Sequence, residues 1–476
     1  MIMASVLQMQ QEKMMKKRFI VITVAMLALT LMLTSCDDMT SGGLVQELIS
    51  WLWEDPEDIP EDVSDVIESI PEDLTLPEDF TLPEDWTMPD TTAPDVTEPA
   101  EETTEPDFPV SEGLKYISNG DGTCTVKGMS TYTYTNLVIP TVSPDGDRVT
   151  CIGDYAFRGC TSLTSVVIPD GVTNIGEFAF RGCTSLTSVV IPDGVTDIGQ
   201  LAFCDCISLT NVELPESVIN IGVSVFSGCI GLTDITIPDG VKCVEYELFA
   251  GCTGLTSIVI PDSVTSIGER AFVECAGLTS IVIPDSVTSI GDYAFEYCKG
   301  LTNMVIPYGV ENIGEGVFFE CTGLTNIEIP DSVTGIGKFA FHNCSGLVNV
   351  TLPDSVITIG ESAFLSCSSL TSINIPDSVI SIENYAFGAC ISLANFVIPD
   401  GVECIEIDTF NNCRSLTSIV IPSSISSIEP GAFYACNILK DVYYTGSEQE
   451  WNVITVGNHN EYLLSATIHF NYVPNS

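Results

Sequence analysis

The most regular chemical feature of the sequence is a column of cysteines, one every 23 residues. Thiols at a fixed spacing could form disulfides, bind a metal ion or act as nucleophiles. If each period is one coil of a stack, neighbouring members lie about 4.8 Å apart with parallel Cβ directions, too far for the roughly 3.8 Å that a disulfide prefers between Cβ atoms. We predict buried free thiols at Cys160, Cys183, Cys206, Cys229, Cys252, Cys275, Cys298, Cys321, Cys344, Cys367, Cys390, Cys413 and Cys436.

The other cysteines offer little further chemistry. Cys204 and Cys206 form a lone C-x-C, without the histidine or second cysteine pair that is typical of a zinc site. Cys124 and Cys151 lie near the start of the repeats. They are the one pair that we would test for a disulfide.

No catalytic pattern is recognisable. The three histidines are His342, His459 and His469, and the H-E-x-x-H, G-x-S-x-G and glycine-rich phosphate motifs do not occur. An enzyme would need a reaction centre around His459 and His469. Acids recur at one turn of each repeat, from Asp170 to Asp285, but the calcium-roll motif G-G-x-G-x-D is absent. We predict no catalytic residue, no metal site and no cofactor.

The net charge narrows the partner classes. The 476 residues carry 65 acids against 15 Lys and Arg, a formal charge of −50. A field of that sign repels phosphate, which argues against a nucleic-acid or anionic-membrane partner.

The N-terminus has the pattern of a bacterial lipoprotein signal. A Lys-Lys-Arg cluster at 16–18 precedes an apolar run at 19–33, and about 15 residues suit a signal peptide better than a membrane span. The sequence LTSC at 33–36 resembles a lipobox. We therefore predict a signal peptide at 1–35 and a diacylglycerol on Cys36; an ordinary signal peptide or a short anchor helix is the alternative.

Residues 36–112 form an acidic segment rich in Pro and Thr, without any Lys or Arg. Such a composition cannot bury enough apolar surface to fold, so we predict a disordered stalk. As polyproline II, its last 59 residues or so, 54–112, would reach roughly 180 Å.

Each repeat changes from strand spacing to helical spacing. Leu163, Val166 and Ile168 give the L-x-x-V-x-I pattern of a short strand with one buried face. The Pro-Asp-Gly at 169–171 suits a type I turn with Gly at its last place. Apolar residues within 175–183 then recur at i, i+4, i+5 and i+8, which predicts one short helical turn.

A phenylalanine recurs in every repeat, so that stacked coils would place one ring above the next. A 23-residue coil cannot bury both its strand face and this ring, and stability must come from neighbouring coils. We predict an α/β solenoid with short parallel strands on one face, short helical turns on the other, and a cap at each end.

The motifs L-x-x-I-x-I-P, S-V-T-x-I-G and A-F-x-x-C together resemble the BspA-type leucine-rich repeat, which builds 23-residue coils in bacterial surface proteins. The resemblance covers roughly 114–472. It implies an N-terminal cap and first coil at 113–159, a solenoid at 160–438, and a C-terminal cap at 439–476, where Trp451 would cover the last coil. It also implies adhesion at the cell surface.

One strand position varies while the core positions repeat. The residue between the two buried strand positions should face outward, and valine there, beside Thr and Ser, would give a flat, weakly polar face for a protein or glycan ligand. Plain β-propensity explains the valines equally. We call these positions the outward column: Val167, Val190, Glu213, Thr236, Val259, Val282, Val305, Glu328, Thr351, Asn374, Val397 and Val420.

A second variable column should lie on the opposite face. It contains aromatic and large apolar residues that could anchor a partner or simply pad the outer shell: Phe178, Leu201, Tyr293, Phe339 and Tyr385.

Together these features predict a lipid-anchored protein of the bacterial cell surface. Its solenoid would bind an extracellular protein or glycan, and its membrane contact would be through the lipid anchor only. A structural envelope component without a soluble partner is the alternative.

Replacing Cys36 with Ser tests the anchor, because serine has no thiol to carry the diacylglycerol. We expect the Cys36→Ser variant to incorporate no radiolabelled palmitate and to leave the membrane fraction. Cys124→Ser, a matched loss of one thiol, should stay labelled. Labelled Cys36→Ser protein would show that the lipid assignment is wrong.

Overall fold

The computed structural model describes residues 111–130 and 134–473. The predicted lipid site Cys36, the signal peptide at 1–35 and nearly all of the 36–112 stalk lie outside the described residues.

The described chain winds into a stack of similar coils, each with two short strands. In one coil these are Ser165–Val167 and Asn174–Ile175, here called the first and second strand. Each pairs in parallel with its equivalent 23 residues later, Ser165 opposite Ser188 and Asn174 opposite Asp197. The predicted solenoid of stacked parallel strands is confirmed.

The first strands of successive coils occupy one face, the strand face. Their bounds are β3 Asn136–Val138, β5 Ser165–Val167, β7 Ser188–Val190, β9 Asn211–Glu213, β11 Asp234–Thr236, β13 Ser257–Val259, β16 Asn303–Val305, β18 Asn326–Glu328, β20 Asn349–Thr351, β22 Ser372–Asn374, β24 Asn395–Val397, β26 Ser418–Ile421, β28 Asp441–Tyr444 and β30 Thr467–His469.

The second strands form a parallel row beside them. Their bounds are β4 Arg148–Ile152, β6 Asn174–Ile175, β8 Asp197–Ile198, β10 Asn220–Ile221, β12 Cys243–Val244, β14 Ser266–Ile267, β15 Ser289–Ile290, β17 Asn312–Ile313, β19 Gly335–Ile336, β21 Thr358–Ile359, β23 Ser381–Ile382, β25 Cys404–Ile405, β27 Ser427–Ile428 and β29 Thr455–Val456.

The two ends depart from the repeat. At the start, β1 Leu114–Ser118 pairs antiparallel with β2 Thr123–Met129, which continues in parallel into β4. At the end, the two helices of the described chain, α1 Glu448–Trp451 and α2 Glu461–Ser465, alternate with β29 and β30. The Trp451 ring packs edge-on against buried Tyr444, at 5.1 Å between centroids. Capping of the stack by these segments stays a prediction.

The segment predicted as a short helical turn contains no helix. Residues 176–186 instead form successive turns, with N–H groups of Ala179, Arg181 and Cys183 donating three residues back. The alternate N–H groups, those of Phe178 and Phe180, donate at 3.0 and 2.8 Å to carbonyls of the next coil. The i, i+4 spacing of apolar residues in this segment therefore belongs to turns that are hydrogen-bonded to the next coil, not to a helix.

Two left-handed residues in each coil keep this segment from becoming helical. Phe178 has a φ of 56° and Gly182 a φ of 73°, and the same two positions are left-handed from Tyr155 and Gly159 onward. Left-handed backbone is unfavourable for bulky side chains, so the ladder between coils must stabilise it.

The corner after the first strand lies one residue further along than predicted. The N–H of Val172 donates to the Pro169 carbonyl at 3.0 Å, so Pro169 opens the turn and Gly171 is its third residue. Where later coils carry Ser in place of Gly171, the hydroxyl donates to a carbonyl of the preceding coil, as from Ser263 to Val241 at 2.7 Å. Glycine is not required at this position because its backbone is not left-handed, and serine adds a hydrogen bond between coils.

The recurring phenylalanines form a continuous stack through the core. Neighbouring rings lie 5.1–6.0 Å apart between centroids with interplanar angles of 3–19°, an offset stacking that aromatic rings prefer. The predicted spine is confirmed. Its members are Phe157, Phe180, Phe203, Phe226, Phe249, Phe272, Phe295, Phe318, Phe341, Phe364, Phe387, Phe410 and Phe433.

The cysteine column consists of buried free thiols, as predicted. Each Sγ from Cys183 onward donates to the carbonyl of the spine Phe in the preceding coil, at 3.0–3.3 Å. Burial raises the pKa of Cys298 to about 12, which disfavours the thiolate needed for metal binding or nucleophilic attack. Cysteine here serves as a small buried donor between coils.

Cys124 and Cys151 are not bonded to each other. Cys124 is buried and its Sγ approaches the Asp147 carbonyl, whereas half-buried Cys151 contacts the Asn174 side chain at 3.5 Å. The register pairs Cys151 with Thr125, one residue beyond Cys124.

Shortening one ring of the spine should weaken the whole stack. We expect Phe295→Ala to lower the free energy of unfolding in urea by about 3–5 kcal/mol, since a buried ring leaves a cavity between two stacked neighbours. Tyr308→Ala, which removes an exposed ring, should change it by less than about 0.5 kcal/mol. Equal losses would contradict the role of the spine.

The thiols should differ in reactivity by burial. Against iodoacetamide, peptide mapping of the folded protein should show Cys151, Cys243 and Cys404 reacting before the buried column. Burial raises the Cys404 pKa to about 11, so its thiolate fraction and its rate should keep rising as pH passes 9 and level off only above 11. Fast labelling of Cys298 without urea would contradict the buried column.

Candidate binding surface

The outward column lies where the alternation of the first strand predicts. In β13 the order is exposed Ser257, buried Ile258 and exposed Val259, because successive side chains of a strand point to opposite faces. The column is exposed at Val190, Glu213, Thr236, Val259, Val282, Val305, Glu328, Thr351, Asn374 and Val397. Val167 and Val420 are half-buried rather than exposed, so these two residues contribute less accessible surface to the column.

Polar atoms on the strand face are largely bonded within the stack. The Thr256 hydroxyl donates to the Thr233 carbonyl at 3.1 Å, one of a series of such bonds along the threonine column. Ser372 donates to the Asn349 side chain at 2.7 Å. These hydroxyl donors are therefore engaged within the stack and are not free for a ligand.

The most apolar part of this face lies near the middle of the stack. Val259, Val282 and Val305 are neighbours in the column and are 58%, 80% and 57% exposed. No strand forms at 280–282, between β13 and β16, so the row of first strands is interrupted at Val282, the most exposed valine of the outward column. We call these three residues the valine patch.

The column extends beyond the residues predicted from the sequence. Val420 pairs with Tyr443, and Tyr443 pairs with His469 in β30. The Tyr443 ring stacks on the His469 ring, with 4.8 Å between centroids, and the Tyr472 ring packs against it at a tilt of 44°, with 4.7 Å between centroids. His469 Nε2 lies 2.8 Å from Asp441 Oδ1. The 23-residue step from 420 to 443 was the signal that could have identified Tyr443.

The second variable column lies at the first left-handed position of each coil, away from the strand face. Its predicted members have φ values of 56–60°. Some of these rings have a cation of the same chain beside them. Arg270 Cζ lies 5.3 Å from the Tyr293 ring centroid, and Lys338 Nζ lies 4.8 Å from the Phe339 ring centroid. At Tyr293 and Phe339 a cation of the same chain already lies against the ring, which favours padding over a free ligand anchor at these two positions.

A groove that sequence analysis missed runs beside the second strands near the N-terminal end. It has a volume of about 560 Å³. Carboxylates of Asp154, Glu177, Asp197 and Glu245 outnumber the single cation of Lys242 along it. Residues of five successive coils line the groove, so no motif within a single repeat could have predicted it.

The histidines and acids do not assemble a reaction centre or a metal site. His342 stacks on Phe319, its Nδ1 is buried without a hydrogen-bond partner among the described residues, and burial lowers its pKa. His459 contacts Tyr434 edge-on, apart from the His469–Asp441 pair. Within 111–130 and 134–473, no three His, Cys, Asp or Glu side chains are grouped so as to hold a metal ion.

In the described part of the chain, neither helix is long and apolar enough to cross a membrane.

The coil geometry agrees with known proteins. The family model described as BspA type leucine-rich repeat region matches in six copies, including residues 128–256, 220–347 and 313–440. A leucine-rich repeat protein from Bacteroides ovatus is 32% identical, with a TM-score of 0.62, over 76% of this chain and 99% of that chain. A leucine-rich cell surface protein from Faecalibacterium prausnitzii is 34% identical, with a TM-score of 0.50, over 74% and 98%.

No curated protein matches the chain. The family match nevertheless spans well over half of the sequence, and the matched residues lie within the stack of coils seen in the structure. The chain belongs to the BspA-type leucine-rich-repeat family.

Proposed function

We propose that this chain is a binding protein of the bacterial cell surface, anchored through a lipid on Cys36, and that the strand face contacts its ligand. The observation that carries the proposal is the outward column, in which side chains vary and stand exposed while the residues beneath them repeat. Variation on a constant scaffold is the arrangement by which repeat proteins build binding surfaces.

The strand face is large enough for a specific interface. The column runs from Val138 to His469 in 15 coil positions, which at about 4.8 Å per coil is roughly 65 Å. Three residues of strand add a width of about 10 Å, so the face offers about 650 Å², close to the 800 Å² per partner of a standard interface.

The valine patch is the proposed centre of contact. Interfaces are most apolar at their core and polar at their rim, and here three exposed valines are flanked by Thr, Ser and Asn columns. We propose an extracellular protein or a glycan as the ligand. A nucleic acid is disfavoured by the net charge of −50.

Surface display rests on two further features. The related Faecalibacterium protein is described as a cell surface protein. The acidic, proline-rich residues 36–112 would space the solenoid from a membrane that holds the lipid on Cys36. We propose binding rather than catalysis, and the matching family is a repeat family rather than an enzyme family.

A binding screen with a charged valine patch tests the proposal. The full chain, purified in mild detergent, would be screened against matrix proteins, mucins, glycans and cell-wall fragments, beside a Val259→Lys, Val282→Lys, Val305→Lys variant. We expect saturable binding by the native chain and at least a tenfold loss in the variant, because three buried ammonium groups would have to be desolvated on contact.

A matched control places three lysines on other coils, in a column away from the strand face. Ile219, Ile357 and Ile380 are exposed in a column where the chain already carries Lys242, so their replacement by Lys adds the same charge away from the strand face. Equal loss in both variants would contradict contact through the strand face. Binding confined to cell-wall material would favour a structural envelope component instead.

A further inference from the structure

The first two full repeats share a cluster of rings and guanidinium groups on the turn side. Tyr155 and Phe178 stack with centroids 4.7 Å apart and an interplanar angle of 6°. The guanidinium carbons of Arg158 and Arg181 each lie 5.7 Å from the ring three residues before them, within the range of a cation–π contact. We call these four residues the Arg-Tyr cluster.

The two arginines differ in their acidic partner. Arg181 Nε lies 3.6 Å from Oδ2 of Asp205, which follows it by 24 positions in the sequence. The residue 24 positions after Arg158 is Gly182, which has no side chain to offer. Among the described residues, the Arg158 side chain has neither an ion pair nor a hydrogen bond. Its five N–H donors are therefore available to an outside acceptor.

The acids nearest to the cluster in sequence are engaged elsewhere. Asp154 Oδ1 accepts the Glu177 N–H at 2.9 Å, and Glu177 Oε2 accepts the Gln200 amide at 3.0 Å. Both carboxylates line the groove beside the second strands. They do not neutralise Arg158 directly.

The surrounding charge also favours this end of the chain for an anion. Residues 111–185 contain seven acids and five bases, whereas residues 186–476 contain 33 acids and six bases. At physiological salt, charges more than about 8 Å apart are largely screened, so the nearby cations decide whether an anion can approach. The net charge of −50 does not exclude an anion site here.

The Tyr155 ring adds a second recognition element. It begins the stack of this column and is 49% exposed, so it can contact a ligand that also reaches Arg158. We propose that the Arg-Tyr cluster binds a carboxylate or sulfate carried on a saccharide. Arg158 donates two N–H groups to the anion, and Tyr155 contacts the apolar C–H face of the sugar ring. The site is separate from the strand face and does not rest on the function proposed above.

The test uses the chain's own difference between the two arginines. Gly182→Asp gives Arg158 the partner that Arg181 has in Asp205, and Asp205 shows that an aspartate adopts the left-handed backbone of this column. Gly251→Asp is the matched control: Gly251 has the same left-handed φ and equal space for a Cβ, in a coil without an arginine. Arg158→Gln, at an exposed side chain, serves if Gly182→Asp unfolds.

Binding would be measured by calorimetry on the full chain in mild detergent. The probes are a sulfated uronic-acid disaccharide, lactose and sodium sulfate. We expect the sulfated disaccharide to bind. Gly182→Asp and Arg158→Gln should each weaken it by at least tenfold, because two charge-assisted hydrogen bonds are lost, and Gly251→Asp should not. Asp205→Asn, which frees Arg181, should strengthen binding.

Three results would overturn the proposal. The first is no binding of the sulfated disaccharide to a chain with native melting behaviour. The second is equal weakening by Gly182→Asp and Gly251→Asp, which would indicate a general charge effect. The third is sodium sulfate or lactose binding as tightly as the sulfated disaccharide, since either would remove the need for both elements together.

Discussion

Contact between successive coils is the interaction on which the rest of the structure depends. A coil of 23 residues has too little core to fold alone. Every part of it is therefore bonded to its neighbour: both strands through parallel pairing, the turn segment through alternate N–H groups, and the spine through stacked rings. Cysteine thiols and threonine hydroxyls add donors to carbonyls of the preceding coil. An insertion of one residue would displace all of these contacts together, which explains the unbroken period.

The same constraint separates residues that must repeat from residues that can vary. A side chain that points into the stack faces its own equivalent above and below, so Phe295 or Cys298 is restricted in size and chemistry. A side chain in the outward column meets solvent, and valine, glutamate, threonine and asparagine all occur there. On the strand face and in the Arg-Tyr cluster, the contacts between coils therefore do not dictate which side chains occur.

The sequence was sufficient for the features that depend on spacing. Period and residue type predicted the strands, the ring stack, the free thiols and the exposure of most of the outward column. The spacing of apolar residues gave a wrong prediction where the backbone conformation determines the local structure. Apolar residues at 175–183 suggested a helix, but left-handed Phe178 and Gly182 turn the N–H groups toward the next coil. Gly, Asn and Asp at the position of Gly182 in several coils were a signal for left-handed backbone. The missing partner of Arg158 required knowledge of which residues lie side by side in adjacent coils.

Native-state hydrogen exchange of the full chain tests most directly whether stability comes from neighbouring coils. The amides of Phe272 and Phe295 lie in central coils, and those of Phe157 and Phe410 lie near the ends; all four donate to the next coil at 2.7–3.0 Å. If coils stabilise one another, the free energy of opening should rise from the end amides to the central ones, because end coils have a neighbour on fewer sides. Faster exchange at Phe295 than at Phe157 and Phe410 would contradict this account.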